Sequence, residues 1–499
     1  MSIWKKKPLQ LLLSEASDSE KGLKRTLTAW SLVALGIGAI IGAGLFVRTA
    51  TAAAQNAGPS VTIGFIVAAI GCALAGLCYA ELSSSIPISG SAYTYTYATM
   101  GELLAWIIGW DLILEYAVGA ATVGIAWSEY LNNLLVSVLH TSPIPYGLCH
   151  SPFQKVIDPV THQVIEHGII NLPAFFIVAV ISLLLIKGTQ ESAFVNGLIV
   201  ITKVAIVIMI IVFGWHYINP VNHENYIPKA TTYIDEHGLK YDFGGFWGII
   251  GAAGTVFFAF IGFDAVSTAA QETKNPKRDM PIGILGSLAI CTVLYILFAH
   301  VLTGLAPVEF FRTTGKEASV AQAINAFMPG YGWLAQFVTV AILFGFTSVI
   351  LVMLLGQSRV FYSMGKDGLL PKSFSELHPK FKTPYKANLA ILVIVGLFAA
   401  FIPGDIVGDM TSIGTLFAFI LVCISVIVLR KTEPNMKREF KTPLVPFVPI
   451  AGALVCFLMI LGLGWANWLR LFVWLAIGLV IYFAYSKKNS KLNNPDKQD

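Results

Sequence analysis

The chain has 499 residues, of which 56% are hydrophobic and only 12% are charged, with a formal net charge of +5. A soluble domain carries about 25% charged residues, so this composition excludes a soluble enzyme or a disordered tail protein, and no nucleic-acid partner is expected. Apolar runs of about 20 residues recur along the whole length, each able to cross a hydrocarbon core of about 30 Å, and no period-2 alternation of a barrel accompanies them.

In chain order, residues 1–28 form a lysine-rich tail without the long apolar core or small-residue cleavage site of a signal peptide. Its stretch IWKKKPLQLLL suits either the inner membrane surface or a disordered basic tail. About twelve spans follow, over residues 29–54, 60–84, 99–138, 171–187, 192–217, 246–270, 281–305, 333–363, 387–403, 411–430, 445–464 and 467–486, before a second tail at 487–499. With the N-terminus inside and residues at span ends counted by side, 25 of the 33 Lys and Arg residues fall on the inner side, 7 on the outer side and 1, Lys203, inside a span. That division obeys the positive-inside rule and places both termini in the cytoplasm. The compact tails fit a bacterial cytoplasmic membrane, and the lipid bilayer is the one solvent partner the composition demands. Five cysteines fall in spans as small packing residues. Cys149 stands alone in a predicted outer loop, so no outer disulfide can close within the chain. The nine histidines show no metal-ligand spacing, and no cofactor motif appears.

The first span carries GIGAIIGAG, Gly36 to Gly44, and the sixth carries FFAFIGFD, Phe257 to Asp264. Glycine costs about 1 kcal/mol relative to alanine inside a helix, so both spans are written to break at mid-membrane. The breaks are five spans apart. A repeat of five spans must place its second copy upside down, and paired interrupted helices mark a transporter's binding site. Residues 29–217 and 246–430 are therefore expected to form two inverted repeats of five helices each. Residues 445–486 add two more, giving an all-α polytopic membrane protein.

A broken helix frees N–H and C=O groups that lipid cannot satisfy. The restarting half offers N–H groups and a partial positive charge to a carboxylate, and the stopping half offers carbonyls to an ammonium. A zwitterionic amino acid satisfies both. The bare backbone of Gly42, Ala43 and Gly44, with Ile40 and Ile41 before them, forms one candidate wall. Phe258, Ala259, Phe260 and Ile261 form the other.

Charges in lipid are costly and need partners. Lys203 lies at the centre of the fifth span, and a desolvated lysine can gain and lose a proton near neutral pH. Proton coupling is the leading expectation. Glu115 in the third span lies four residues after Asp111 on one helical face; Asp111 is expected nearer the inner end, in contact with solvent. Asp264 follows the sixth break, and Tyr295 in the seventh span is placed to hydrogen-bond to it. Glu81 and Glu102 fall near span ends and read as interfacial. Met353 in the eighth span is a candidate to narrow the pocket.

The motifs GIGAIIGAGLFV, PISGSAYTYTYATMGELLAWIIGWDLILEY, FFAFIGFDAVSTAAQETKNPKRDMPIGI and QSRVFYSMGKDGLLP resemble those of the amino acid–polyamine–organocation superfamily, in its cationic amino acid transporter branch. The resemblance runs from about residue 25 to 485. It implies ten helices in two inverted repeats, two extra C-terminal helices, and amino acid uptake. It also implies that the Lys203 ammonium stands where sodium-coupled relatives hold an ion between the first and eighth helices. Its partners there would be the carbonyls of Gly38 and Ile41 and the hydroxyls of Thr347 and Ser348. By the same resemblance, Asp264 holds the unwound segment or relays protons. The substrate stays open between a small neutral amino acid such as alanine and a cationic one held by Glu115. Exchange, sodium coupling, and a non-transporting sensor are the alternatives to proton symport. The sequence is silent on a small accessory membrane subunit.

Overall fold

The computed structural model describes residues 3–8, 11, 27–86, 91–157, 164–188, 193–234, 240–313 and 318–494. Each of the twelve predicted spans is met by a helix. Eight helical stretches are long and apolar enough to cross a membrane. Ala29–Ile40, Leu172–Lys187, Tyr385–Phe401 and Phe447–Gly462 are shorter apolar helices. At about 1.5 Å per residue, even the 16 residues of Leu172–Lys187 cover most of a hydrocarbon core.

The first span starts at Thr28, whose hydroxyl accepts a hydrogen bond from the N–H of Ser31 at 3.4 Å. It runs Ala29–Ile40, breaks, and resumes as a π-helical turn, Gly44–Arg48, before continuing to Ala57. The second span is Val61–Ser85. The third runs Glu102–Leu112, widens into a π-helical turn at Ile113–Val118 and ends as Gly119–Ser137. That π turn, which carries Glu115, has no signal in the hydropathy; such bulges concentrate at functional positions. The fourth and fifth are Leu172–Lys187 and Ala193–Trp215. The sixth runs Gly245–Phe257, tightens to a 3-10 turn at Phe258–Phe260, breaks, and restarts as a 3-10 helix over Asp264–Glu272. The remainder are Pro276–Leu305, Gly332–Lys366, Tyr385–Phe401, Gly404–Thr432, Phe447–Gly462 and Trp465–Ile481.

Packing pairs the second span with the seventh, the third with the eighth and the fourth with the ninth. The first lies on the seventh while the sixth lies on the second, and the third lies on the tenth while the fifth lies on the eighth. Small residues permit the close approaches. A Cβ on Gly283 would sit 2.6 Å from Leu32 Cβ, and one on Gly64 would sit 3.2 Å from Ala252 Cβ.

Two loops expected on the outer side carry antiparallel hairpins that the sequence reading treats only as polar connections: Lys155–Ile157 with Val164–His167, and Thr231–Ile234 with Lys240–Phe243. The second is pinned by Arg312. Its guanidinium lies 4.5 Å from the centroids of both Tyr233 and Phe243, and its Nε donates to Ala54 O at 2.9 Å.

At the opposite end of the bundle, residues 3–8 pack on the third helix: Leu103 N donates to Ile3 O and Glu102 N to Lys5 O, at 3.0 and 3.1 Å. Most of IWKKKPLQLLL beyond Pro8, half of the KGTQ turn and His162 lie outside the described residues. Glu81 and Glu102 are not interfacial; both are fully buried. Glu81 takes two 2.8 Å bonds from Arg430. Glu102 accepts from Tyr97, Tyr482 and Ser490. Local hydropathy could not place them, because their cover comes from helices and a tail hundreds of residues away.

Candidate functional site

The two breaks meet. A Cβ on Gly44 would overlap the backbone of Ala259, and a Cβ on Gly262 would sit 3.0 Å from the carbonyl carbon of Ala39. Each break thus rests a glycine on the other's backbone. Gly262 also needs its φ of +115°, which only glycine adopts freely.

In the first span, Ile41 turns extended (φ −72°, ψ 104°) while its N–H still bonds to Ile37 O at 2.9 Å. The carbonyls of the last turn then lack helical partners. Lys203 Nζ donates to Gly38 O at 2.7 Å, and Tyr295 Oη donates to Ile40 O at 2.9 Å. The restart places the N–H groups of Gly42, Ala43 and Gly44 ahead of its first bonds, which Leu45 N and Phe46 N make to Gly42 O at 3.1 and 3.3 Å. Gly42 faces the eighth helix, where a Cβ would sit 3.1 Å from Val349 Cγ2.

Lys203 is 1% exposed, and its stem crosses Gly345 of the eighth helix, where a Cβ would sit 3.0 Å from Cε. The expected bond to Gly38 is present. The hydroxyls of Thr347 and Ser348 donate within their own helix, to Leu343 O at 2.9 Å and Gly345 O at 3.0 Å, so toward an ammonium they can only offer lone pairs.

In the sixth span, Ile261 is extended (ψ 135°) after the 3-10 turn of Phe258, Ala259 and Phe260, all buried. Ala259 O accepts from Tyr295 Oη at 3.1 Å. The expected Tyr295–Asp264 bond is corrected here: the Tyr295 hydroxyl lies at the depth of two break carbonyls, and it binds those. Asp264 Oδ2 instead accepts from Tyr116 Oη. Glu115, one residue before Tyr116, lies near Asp264. Among the described residues no donor reaches either Glu115 oxygen. Asp111 is 1% exposed, beside Gly414 of the tenth helix, and among the described residues neither of its oxygens is hydrogen-bonded. The expectation that it meets solvent is therefore corrected.

Met353 is buried, with its sulfur against Gly119 of the third helix, where a Cβ would sit 3.4 Å away. The phenylalanines of the sixth break form an aromatic wall: Phe260 lies 5.3 Å from the Tyr295 ring and 6.2 Å from Phe65.

Sequence reading missed Tyr116, whose signal was its adjacency to Glu115. It also missed Arg48, near the end of the first span. Arg48 is 2% exposed and pairs with Asp409 and, at 3.3 Å, Asp405 of the tenth helix. Asn467 of the twelfth donates to Asp409 Oδ2 at 3.2 Å. The opposite face has its own lock: Lys7 Nζ and Tyr93 Oη hold the two oxygens of Asp367 at 2.8 and 2.7 Å.

The amino acid permease family model matches residues 27–484. The branched-chain amino acid permease BcaP of Bacillus subtilis is 45% identical over 493 residues, covering 99% of each chain. The methylthioribose transporter of the same organism is 42% identical over 493 residues, again covering 99% of each. The vacuolar cationic amino acid transporter 4 of Arabidopsis thaliana is 33% identical over 428 residues, 84% of this chain and 65% of that one.

Proposed function

Because the chain belongs to the amino acid permease family, we propose that it is a proton-coupled importer of neutral, apolar amino acids, working by alternating access with both termini cytoplasmic. The observation that carries this reading is the meeting of two broken helices, each supplying free backbone polarity at one place. The packing supports two inverted repeats, 29–217 and 246–430. An operator mapping span 1 onto 6 and 2 onto 7 turns the 1–7 contact into 6–2, and turns 3–10 into 8–5; pairs 2–7, 3–8 and 4–9 map onto themselves.

The substrate α-carboxylate meets the N–H groups at Gly42, Ala43 and Gly44. The α-ammonium meets carbonyls of the sixth break. The apolar walls favour an aliphatic side chain. Glu115 is engaged with Asp264, which leaves it poorly placed to hold a cationic side chain. Full-length similarity to a branched-chain amino acid permease points the same way.

Lys203 is the coupling group. As an ammonium it ties Gly38 O to the fifth helix; without its proton that hold on the broken helix weakens, so protonation on one side of the membrane and release on the other biases the two orientations. The Glu115–Asp264–Tyr116 cluster braces the sixth break. Arg48 with Asp405 and Asp409 seals the outer face.

The test is uptake into proteoliposomes of radiolabelled leucine, arginine and methylthioribose, with and without sodium and with and without an inward proton gradient. Gradient-driven leucine uptake is expected. Preference for arginine or methylthioribose would overturn the substrate, and sodium-dependent or gradient-independent uptake would overturn the coupling.

A further inference from the structure

The connection from the eighth helix to the ninth contains a turn that transport, as read above, does not use. His378 N donates to Thr383 O at 2.7 Å and Lys382 N donates to His378 O at 2.9 Å, so residues 378–383 close on themselves. Inside the turn, the N–H groups of Lys380 and Phe381 both donate to His378 Nδ1, each at 3.2 Å. The Thr383 hydroxyl donates to Ile186 O at 2.6 Å and so anchors the turn to the last turn of the fourth helix. Lys382 holds φ at +58°, a left-handed value that residues other than glycine adopt at a cost.

This bracing presents a tip of Lys380, Phe381 and Lys382, all exposed. The Lys380 ammonium lies 5.6 Å from the centroid of the Phe381 ring. Lys187, at the end of the fourth helix, is exposed beside them: a Cβ on the adjoining Gly188 would sit 3.0 Å from Thr383 Cγ2 and 3.6 Å from Phe381 O. Across residues 368–404 the sequence has one acid, Glu376, and it pairs with Lys386. The turn lies at the end of the bundle that gathers both tails, since Asp367 takes Lys7 Nζ on its side chain and Lys491 N on its carbonyl. Within two turns of that end the fourth helix exposes Leu183 and Leu184, and within three the ninth exposes Leu389 and Val393.

We propose that the 378–383 turn, with Lys187, is a binding site for an anionic phospholipid such as phosphatidylglycerol. The lipid phosphate meets the ammonium groups of Lys380, Lys382 and Lys187. Phe381 enters the boundary between headgroups and acyl chains, where basic and apolar side chains act together. The acyl chains run over the exposed leucines of the fourth and ninth helices. A soluble phosphate would gain nothing from Phe381 or those leucines, and a zwitterionic lipid carries its own cation and gains less from the lysines. Each lysine close to an anionic lipid surface is worth roughly fivefold in affinity. The bound lipid bridges the fourth helix and the eighth-to-ninth connection.

The test is native mass spectrometry of the purified full chain in detergent with equal phosphatidylglycerol and phosphatidylcholine, read as each lipid retained per chain. The wild type is expected to retain phosphatidylglycerol over phosphatidylcholine. The double variant Lys380→Gln with Lys382→Gln is expected to lose that preference by on the order of tenfold or more. Lys437→Gln with Lys441→Gln removes as much charge from exposed positions between the tenth and eleventh helices and is expected to keep it. All four side chains are exposed, so both double variants should melt with the wild type. No preference in the wild type, full retention in the turn variant, or equal loss in the two double variants would each overturn the site. Displacement of the lipid by millimolar glycerol phosphate would make the ligand a soluble anion and overturn the lipid assignment.

Discussion

The two broken helices differ in what satisfies them. The first break is bare: Gly38, Gly42 and Gly44 offer backbone, and the side chains that tie it come from other helices, Lys203 from the fifth and Tyr295 from the seventh. The sixth break is armoured. It carries its own aromatic walls and its own acid, Asp264, held by Tyr116 and Glu115 of the third helix. One break is tied by a lysine from another helix and the other by a tyrosine on its own acid. The difference teaches that a single architecture can divide its labour. On the proposed reading, the bare break is released by removing one proton from Lys203, and the break that brings its own partners stays fixed while the other moves.

The comparison breaks most completely at the contact between the two. Gly44→Ala would drive a methyl into the Ala259 backbone, which no rotamer change relieves. The expected cost is at the top of the roughly 1–3 kcal/mol range for overpacking, read as a loss of thermal stability in detergent. Gly42→Ala meets only a Val349 methyl at 3.1 Å and should cost far less; equal losses would contradict the geometry.

The armoured break is tested by its acid. Asp264→Asn alters the carboxyl that Tyr116 holds, and Glu115→Gln alters the acid near it. Losing a buried hydrogen bond to a charged group costs about 1.5–3 kcal/mol, so leucine uptake should fall on the order of 10- to 100-fold. Uptake within twofold of wild type would show that the cluster braces nothing. A smaller effect is expected at Tyr295, which touches both breaks. Tyr295→Phe removes a donor that Ile40 O and Ala259 O share, worth about 0.5–1.5 kcal/mol, or a two- to twelvefold loss of uptake without loss of fold.

The smallest effect lies far from both breaks, in the loop after the fifth helix. His223 sits 4.6 Å ring to ring from His300 and within 3.3 Å of the Thr303 hydroxyl. Burial, with the neighbouring His300 charge second, lowers its pKa from the ordinary value. A histidine held below its unfolded pKa stabilises the fold fully above about pH 6.5 and loses that contribution as pH falls below it. Amide exchange over residues 218–226, corrected for intrinsic rate, should therefore rise on acidification below about pH 6.5 and stay flat in His223→Gln.

How much of this was legible beforehand follows from the range of the interactions. The spans were readable because twenty apolar residues announce themselves locally. The breaks were readable because glycines crowd where helix should persist, and Lys203 because a lone charge in lipid must have a partner. What the chain could not reveal were identities fixed by contacts across the bundle. Tyr116 rather than Tyr295 serves Asp264, since only the packing of the third helix on the sixth decides which hydroxyl arrives. Glu102 looked interfacial because nothing near it in sequence reports that Ser490, 388 residues on, closes over it. Asp111 looked solvated for the same reason.

The most direct measurement is proton movement during leucine transport by wild type and Lys203→Met in proteoliposomes carrying a pH-sensitive dye. The wild type should acidify the lumen as leucine enters. Lys203→Met should keep leucine–leucine counterflow, because the substrate contacts are untouched, yet move no protons. Lys203→Met that still carries protons with leucine would contradict the assignment of coupling to the bare break, and would move it to Asp264 and Glu115.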